Sequence, residues 1–214
     1  MKGQADLRYE YMLWARGYRA VAGLDEAGRG AWAGPVVAGA VILPVGRFDL
    51  ARALSGVNDS KQLSSAQREA LVAGILRVAV AAGVGQASHA EVDALGIVAA
   101  TRLAMQRALD ALPTAPDALL TDAMALPEVH LPVEKLVRGD QRALSVAAAS
   151  ILAKVARDRF MDALDALYPE YGFGEHKGYG TVLHQQQLRT FGVSPVHRRT
   201  FAPVRAFLEK ENAP

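Results

Sequence analysis

Two apolar runs set the fold: Ala20-Val21-Ala22-Gly23-Leu24, which leads into Asp25-Glu26, and Val36-Val37-Ala38-Gly39-Ala40-Val41-Ile42-Leu43. Both are too short for helices, and their near-continuous apolarity is that of strands buried on both faces. Between them lies the glycine-rich turn Gly28-Arg29-Gly30-Ala31-Trp32-Ala33-Gly34. A dinucleotide-binding turn would open a helix at this point. Here Gly34-Pro35 leads into β-branched Val36-Val37 instead, so that reading is set aside. Gly28 and Gly30 lack Cβ and let the backbone around Arg29 come close to a ligand; the competing reading is a tight hairpin with a solvated arginine.

Outward from this pair, Pro44 and Gly46 open a loop, and Ser64-Ser65-Ala66-Gln67 has the spacing of a capping box. Apolar residues at Leu71, Ile75 and Val78 then predict a helix from about Ser65 to Ala82. A short strand follows at Val84 to Ala87. Ser88-His89-Ala90-Glu91 repeats the capping pattern and heads a helical region to Leu112, closed by Pro113 and Pro116. Ala118 to Asp122 reads as a buried strand ending on an acid, and Val133 to Val137 as another. The longest helix is expected from Ser145 to Leu167, stopped by Pro169. This order gives an α/β protein, helices covering a mixed or largely parallel sheet. Near Tyr168 the alanine-rich helix yields to Gly172, Gly174, Gly178 and Gly180. A core over residues 1–168 is therefore expected, followed by a glycine-rich loop and basic C-terminal helical appendage over 169–214.

At 214 residues, with 51% apolar and 21% charged side chains, the chain has the makeup of one ordinary globular domain with a sizeable core. It holds no cysteine, which excludes disulfides and thiolate zinc and suits a reducing, cytoplasmic setting. No stretch is apolar and long enough to predict a membrane span. A net charge of +2 says little, but its distribution says more. Between Phe173 and Arg205, Lys177, Arg189, Arg198, Arg199 and Arg205 face a single acid, Glu175, with His176, His184 and His197 among them. This basic tract is expected to meet phosphates. The three histidines are too irregularly spaced for a zinc site and are expected to face solvent or phosphate.

Asp25 and Glu26 fall where one buried strand ends, and Asp122 where another does. Parallel neighbours would bring these acids to one edge of the sheet, where α/β ligands bind. Crowded carboxylates repel unless protons or cations compensate them. Oxygen ligands suit Mg²⁺ or Mn²⁺, and two such ions can activate water and stabilise the leaving oxygen of a phosphodiester. The competing reading makes Asp25-Glu26 an acidic turn and Asp122 a helix cap.

Together these segments resemble the bacterial ribonuclease HII family, type 2 ribonucleases H, from about Val21 to Arg205. The resemblance is carried by Gly23-Leu24-Asp25-Glu26-Ala27-Gly28-Arg29-Gly30 with Gly34-Pro35-Val36-Val37. It is carried further by Asn58-Asp59-Ser60-Lys61-Gln62-Leu63-Ser64 and by Ser145 through Asp158 with Ala148-Ala149-Ser150-Ile151-Leu152-Ala153-Lys154-Val155. Tyr171-Gly172-Phe173, His176-Lys177-Gly178-Tyr179 and His197-Arg198-Arg199 complete it. The resemblance implies a ribonuclease H-like mixed sheet flanked by helices, and four active-site acids at Asp25, Glu26, Asp122 and Asp140. Asp140, in Arg138-Gly139-Asp140, has a rival in Asp158. It also implies that Gly28-Arg29-Gly30 contacts a ribonucleotide 2′-hydroxyl, the group that separates RNA from DNA, and that Tyr179 sits at the RNA–DNA junction. Lys61 is a candidate phosphate contact, or else a solvated lysine before a helix, and Tyr179 is otherwise a core tyrosine. The implied enzyme is a monomeric, Mg²⁺- or Mn²⁺-dependent endonuclease cutting RNA–DNA hybrids and DNA duplexes with embedded ribonucleotides. A second class, a hybrid-binding module without catalysis, also fits the basic tract. A two-metal nuclease or phosphatase of other specificity fits the acids.

Overall fold

The computed structural model describes residues 5–57 and 64–211. Five strands, β1 (Val21–Ala27), β2 (Val36–Ile42), β3 (Ala81–Ala87), β4 (Ala118–Asp122) and β5 (Val133–Leu136), form one sheet in the order β3-β2-β1-β4-β5. Strand β2 runs antiparallel to both β1 and β3, whereas β4 pairs in parallel with β1 and β5 in parallel with β4. The sheet is therefore mixed. The helices are α1 (Arg8–Ala15), α2 (Leu50–Ala53), α3 (Ser65–Val78), α4 (His89–Leu95), α5 (Ile97–Asp110), α6 (Leu144–Leu167), α7 (Phe173–His176), α8 (Val182–Phe191) and α9 (Ala202–Glu211).

Alternation along the central strands feeds two cores. Val21 and Val41 pack with Ala147, Ala148 and Ile151 of α6 and with Ile75 of α3. Ala22, Leu24, Ala38, Ala40 and Ile42 pack with Ala100, Ala104, Met105 and Ala108 of α5. Every residue of β2 is buried, as its unbroken apolarity requires. Helix α6 lies on the sheet through two glycines: a Cβ on Gly23 would sit 2.3 Å from the Ser145 carbonyl carbon, and one on Gly39 would sit 2.3 Å from the Ala149 carbonyl oxygen. Such closeness excludes any side chain there, and it presses the N-terminal part of α6 against β2 and the acid-bearing strand β1.

Both capping boxes form: Ser64 with Gln67 heads α3, and Ser88 with Glu91 heads α4. The helix expected to reach Ala82 stops at Val78, because Ala79 turns extended and β3 begins at Ala81, earlier than the expected Val84. The helical region after Ser88 is broken in two by Gly96, whose φ of +76° is left-handed. The last strand ends one residue short of Val137. From Pro169 onward the regular elements of the described chain are short helices joined by loops, and Tyr171, Phe173 and Val196 form a third core with Met161 and Leu164 of α6 and Ala33 of the β1–β2 turn. The C-terminal segment thus packs directly on the glycine-rich turn. Among the described residues no helix is long and apolar enough to cross a membrane.

Candidate active site

Strand β1 runs past its expected end: Asp25 and Glu26 lie within it, opposite Gly39 and Ala38 of β2. The parallel ladder to β4 closes at Leu24 and Thr121, so Asp25 and Asp122 each stand one residue beyond the last pair, side by side at one sheet edge. Strand β5 then turns through Arg138, a non-glycine residue in the left-handed region, into a single 3₁₀ turn, Gly139–Gln141. The Gly139 N–H donates to Asp122 Oδ1 at 2.9 Å, and a Cβ on Gly139 would stand 3.3 Å from Asp122 Cα. A Cβ here would be tighter than most real contacts, and the turn sets buried Asp140 immediately beyond the Asp122 contact.

Electrostatics bind three of the acids into one unit. Burial pushes the Asp25 carboxyl well above its ordinary value, and the charges of Glu26 and Asp122 push it further, against a hydrogen bond from Ser150 of α6. Burial likewise raises Glu26, with Asp122 adding to it and Arg29 opposing. Arg29 Nη1 donates to Glu26 Oε1 at 3.2 Å, while the buried Glu26 Oε2 has no hydrogen-bond partner. An orphaned buried carboxylate oxygen among like charges is costly unless a cation or proton meets it. Among the described residues no three His, Asp or Glu side chains are gathered tightly enough to hold a metal ion as they stand. The fit to a hard divalent cation rests on the all-oxygen donor set and on that open oxygen.

Asp158 is placed differently. Its Oδ1 takes Lys154 Nζ at 2.6 Å and its Oδ2 takes Arg68 Nη2 at 3.2 Å, so its charge is already answered inside the chain. Lys61 lies outside the described residues.

The Gly28-Arg29-Gly30 turn divides between two tasks. Gly28, at φ +91°, is buried, and a Cβ there would fall 1.9 Å from Arg157 Nε. Its close approach is therefore to the chain's own arginine. Gly30 is exposed with open space where its Cβ would be, so it is the glycine at which a ligand can reach the backbone. Two fully buried arginines fix this turn. Arg157 donates to the carbonyls of Pro35, Ala33 and Lys177 at 3.0, 3.2 and 2.9 Å. Arg198 donates to those of Gly34 and Arg29 at 3.0 and 2.9 Å. Burial, then the charge of Arg157, lowers the Arg198 guanidinium to about 9. Neither was singled out in the sequence for this role, because a buried arginine has no signature beyond its neighbours.

The basic tract is correspondingly broken up. Arg198 is buried rather than phosphate-facing, Lys177 pairs with Asp162, and Arg205 lies 3.6 Å from Glu209. Arg189 and Arg199 remain exposed. His176, His184 and His197 are buried, contrary to the solvent- or phosphate-facing expectation, because α8 folds them under the Tyr179 loop. Tyr179 itself is half-buried, its ring 5.3 Å from the Arg157 guanidinium carbon and 5.9 Å from Lys154 Nζ. Gly178 and Gly180 flank it so closely against Ala33 and the Trp32 ring that neither has room for a Cβ.

Comparison with known proteins agrees with this architecture. The family model described as Ribonuclease HII matches residues 22–204. A Chloroflexus aggregans protein named Ribonuclease HII is 55% identical over 204 residues, 95% of this chain and 96% of that protein. A Chloroflexus aurantiacus protein of the same name is 55% identical over 199 residues, covering 93% and 94% of the two chains. The crystal structure of ribonuclease H2 from Pyrococcus horikoshii OT3 superposes with a TM-score of 0.74 at 29% identity, covering 89% of this chain and 97% of that one. The chain belongs to the ribonuclease HII family, whose members are ribonuclease H enzymes.

Proposed function

We propose that this endoribonuclease hydrolyses the phosphodiester on the 5′ side of ribonucleotides, in RNA–DNA hybrids and in DNA duplexes with embedded ribonucleotides, leaving 3′-hydroxyl and 5′-phosphate ends. The observation that carries the reading is the meeting of Asp25, Glu26 and Asp122 at one strand edge beside the exposed Gly30, with a buried Glu26 oxygen left unpartnered. Asp25, Glu26, Asp122 and Asp140 would hold Mg²⁺ or Mn²⁺. Bound there, such cations supply a nucleophilic water and stabilise the charge on the leaving oxygen.

The chain's own groups do the rest. Ser150 orients Asp25, and the Gly139 N–H orients Asp122, so the two acids keep their relative placement. Asp140 is favoured over Asp158 as the fourth acid because the two oxygens of Asp158 are already taken by Lys154 and Arg68. Gly28-Arg29-Gly30, held from behind by Arg157 and Arg198, presents backbone groups to the 2′-hydroxyl. That hydroxyl lies in the accessible minor groove of the hybrid. Tyr179 meets the sugar or base at the RNA–DNA junction, and the C-terminal segment, residues 169–214, completes the substrate site around it.

The test is a cleavage map on a DNA duplex carrying one ribonucleotide. A single cut on its 5′ side, present with Mg²⁺ or Mn²⁺ and absent with chelator, is expected. Equal cutting of an all-DNA duplex, or no cutting with either ion, would overturn the proposal.

A further inference from the structure

Residues 177–179 carry six backbone hydrogen-bonding groups, and each has a fixed partner. The Lys177 N–H donates to Phe173 O at 2.9 Å and its carbonyl accepts from Arg157. The Gly178 N–H donates to His176 Nδ1 at 3.1 Å, and its carbonyl accepts from the Trp32 N–H at 2.8 Å. The Tyr179 N–H donates to His176 O at 2.9 Å, and its carbonyl accepts from the Thr181 N–H at 2.8 Å and lies 3.0 Å from His184 Nδ1. A loop with two glycines, free to take many conformations by sequence, is thereby held in one.

The histidine partners form a chain whose protons the backbone assigns. The Ser194 N–H can only donate, so His197 Nδ1, 3.0 Å away, must be bare. Neutral His197 then carries its proton on Nε2 and donates to His184 Nε2 at 2.8 Å. His184 in turn must carry its proton on Nδ1, the nitrogen that faces the Tyr179 carbonyl. His176 is fixed the same way: its Nδ1 accepts from Gly178, so its Nε2 donates to Tyr171 O at 2.8 Å. The His176 and His184 rings stack at 4.2 Å, and Trp32 lies 5.5 Å from His184. At its Tyr179 end this chain meets a half-buried residue.

We propose that His184, oriented by His197 and Ser194 behind it, is a positioning residue for Tyr179: its Nδ1–H is the side-chain donor that, beside the backbone Thr181 N–H, holds the Tyr179 carbonyl so that the ring meets the RNA–DNA junction in one pose. The proposal rests on the reading of Tyr179 as the junction contact.

The experiment is a double-mutant cycle in kcat/KM on a duplex with one embedded ribonucleotide. It uses Tyr179→Ala, His184→Leu and their combination, with His184→Asn as the conservative variant and thermal melts confirming that each is folded. Tyr179→Ala and His184→Leu are each expected to lower kcat/KM by about tenfold, while His184→Leu in the Tyr179→Ala background changes it by less than about twofold. His184→Asn, whose amide nitrogen occupies the place of Nδ1, is expected to restore most of the loss. If Tyr179→Ala lowers cleavage but His184→Leu costs the same in both backgrounds, the positioning role falls while the junction reading stands. If Tyr179→Ala leaves cleavage unchanged, both fall. Imidazole ¹⁵N spectra of the unmodified enzyme give a readout that needs no folded variant: His184 must be protonated on Nδ1, and His176 and His197 on Nε2. A His184 protonated on Nε2 overturns the proposal.

Discussion

Replacing Glu10 by alanine should destabilise the enzyme, for a reason visible only in three dimensions. Helix α6 starts at Leu144 with Ala143 as N-cap, a residue with no side chain to cap it. Glu10 of α1 takes the place of a cap: its Oε1 accepts from the Ser145 N–H at 2.7 Å and from the Ser145 hydroxyl at 2.6 Å, fully buried. Hydrogen bonds to a charged group contribute roughly 1.5–3 kcal/mol each, and alanine leaves a buried N–H unsatisfied. Offsetting this, a buried carboxylate with its second oxygen unpartnered is itself costly. A loss of about 3–5 kcal/mol follows for Glu10→Ala, and at ~2–4 °C per kcal/mol for a chain this long, Tm should drop by about 6–20 °C. Glu10→Gln keeps an acceptor oxygen and should stay within about 1 kcal/mol of the parent. The pH dependence separates the two further. Burial raises the Glu10 carboxyl above 4.5, so the folded state binds its proton more tightly than the unfolded state does. That stabilisation is complete below 4.5 and is lost as pH rises through the raised value; the glutamine variant escapes the loss. Urea unfolding of the three proteins at pH 4.5 and pH 7.5 measures it. A Glu10→Ala protein within 1 kcal/mol of the parent, or a Glu10→Gln protein as unstable as the alanine variant, would refute the reasoning.

If Asp25 and Glu26 hold the cation as proposed, Mn²⁺ competes with protons for their raised carboxyls, and Mn²⁺ should raise Tm more at pH 8 than at pH 5.5. Equal shifts by differential scanning calorimetry would contradict the cluster's role. Burial, then the charge of a neighbouring histidine, lowers His184 to about 4 and His197 to about 3 from 6.5, while Asp165, Glu175 and His89 also face the group. The unfolded chain therefore binds protons more tightly, and the stability present above pH 6.5 is lost as pH falls toward 3. His197→Gln should lose less on acidification than the parent, by urea titration at pH 7 and pH 4.5. Gly28→Ala, with a Cβ 1.9 Å from Arg157 Nε at a positive φ, should cost more than about 2 kcal/mol. Gly30→Ala should leave the melting temperature nearly unchanged, since its Cβ meets open space, and should still reduce cleavage at a single ribonucleotide if the turn contacts the 2′-hydroxyl as proposed.

Much of the fold was legible because local signals agreed. The two capping boxes, the unbroken apolarity of β2 and the proline after Leu167 each reported an element that formed. Boundaries failed where tertiary pairing decided: β3 takes Ala81 and Ala82 from the helix expected there, since their partners Ile42 and Val41 sit in β2. Helix α1 was missed because its apolar face is short and its meaning lies in Glu10, 135 residues from its partner Ser145. In the site, Asp25 and Asp122 could be placed together by strand ends and parallel pairing. Asp140 could not, because its position depends on Gly139 closing on Asp122. The histidines and Arg198 read as a phosphate-facing tract because a sequence shows charge but not the burial that removes it from solvent.

The most direct test of the central claim is Asp122→Asn, assayed for cleavage of a single-ribonucleotide duplex and, separately, for binding to it. Asp122 faces Asp25 and Glu26 electrostatically and is oriented by the Gly139 N–H. The account predicts cleavage falling by on the order of 10³-fold or more with duplex affinity within a few-fold of the parent. Unchanged cleavage in a folded Asp122→Asn enzyme would contradict it.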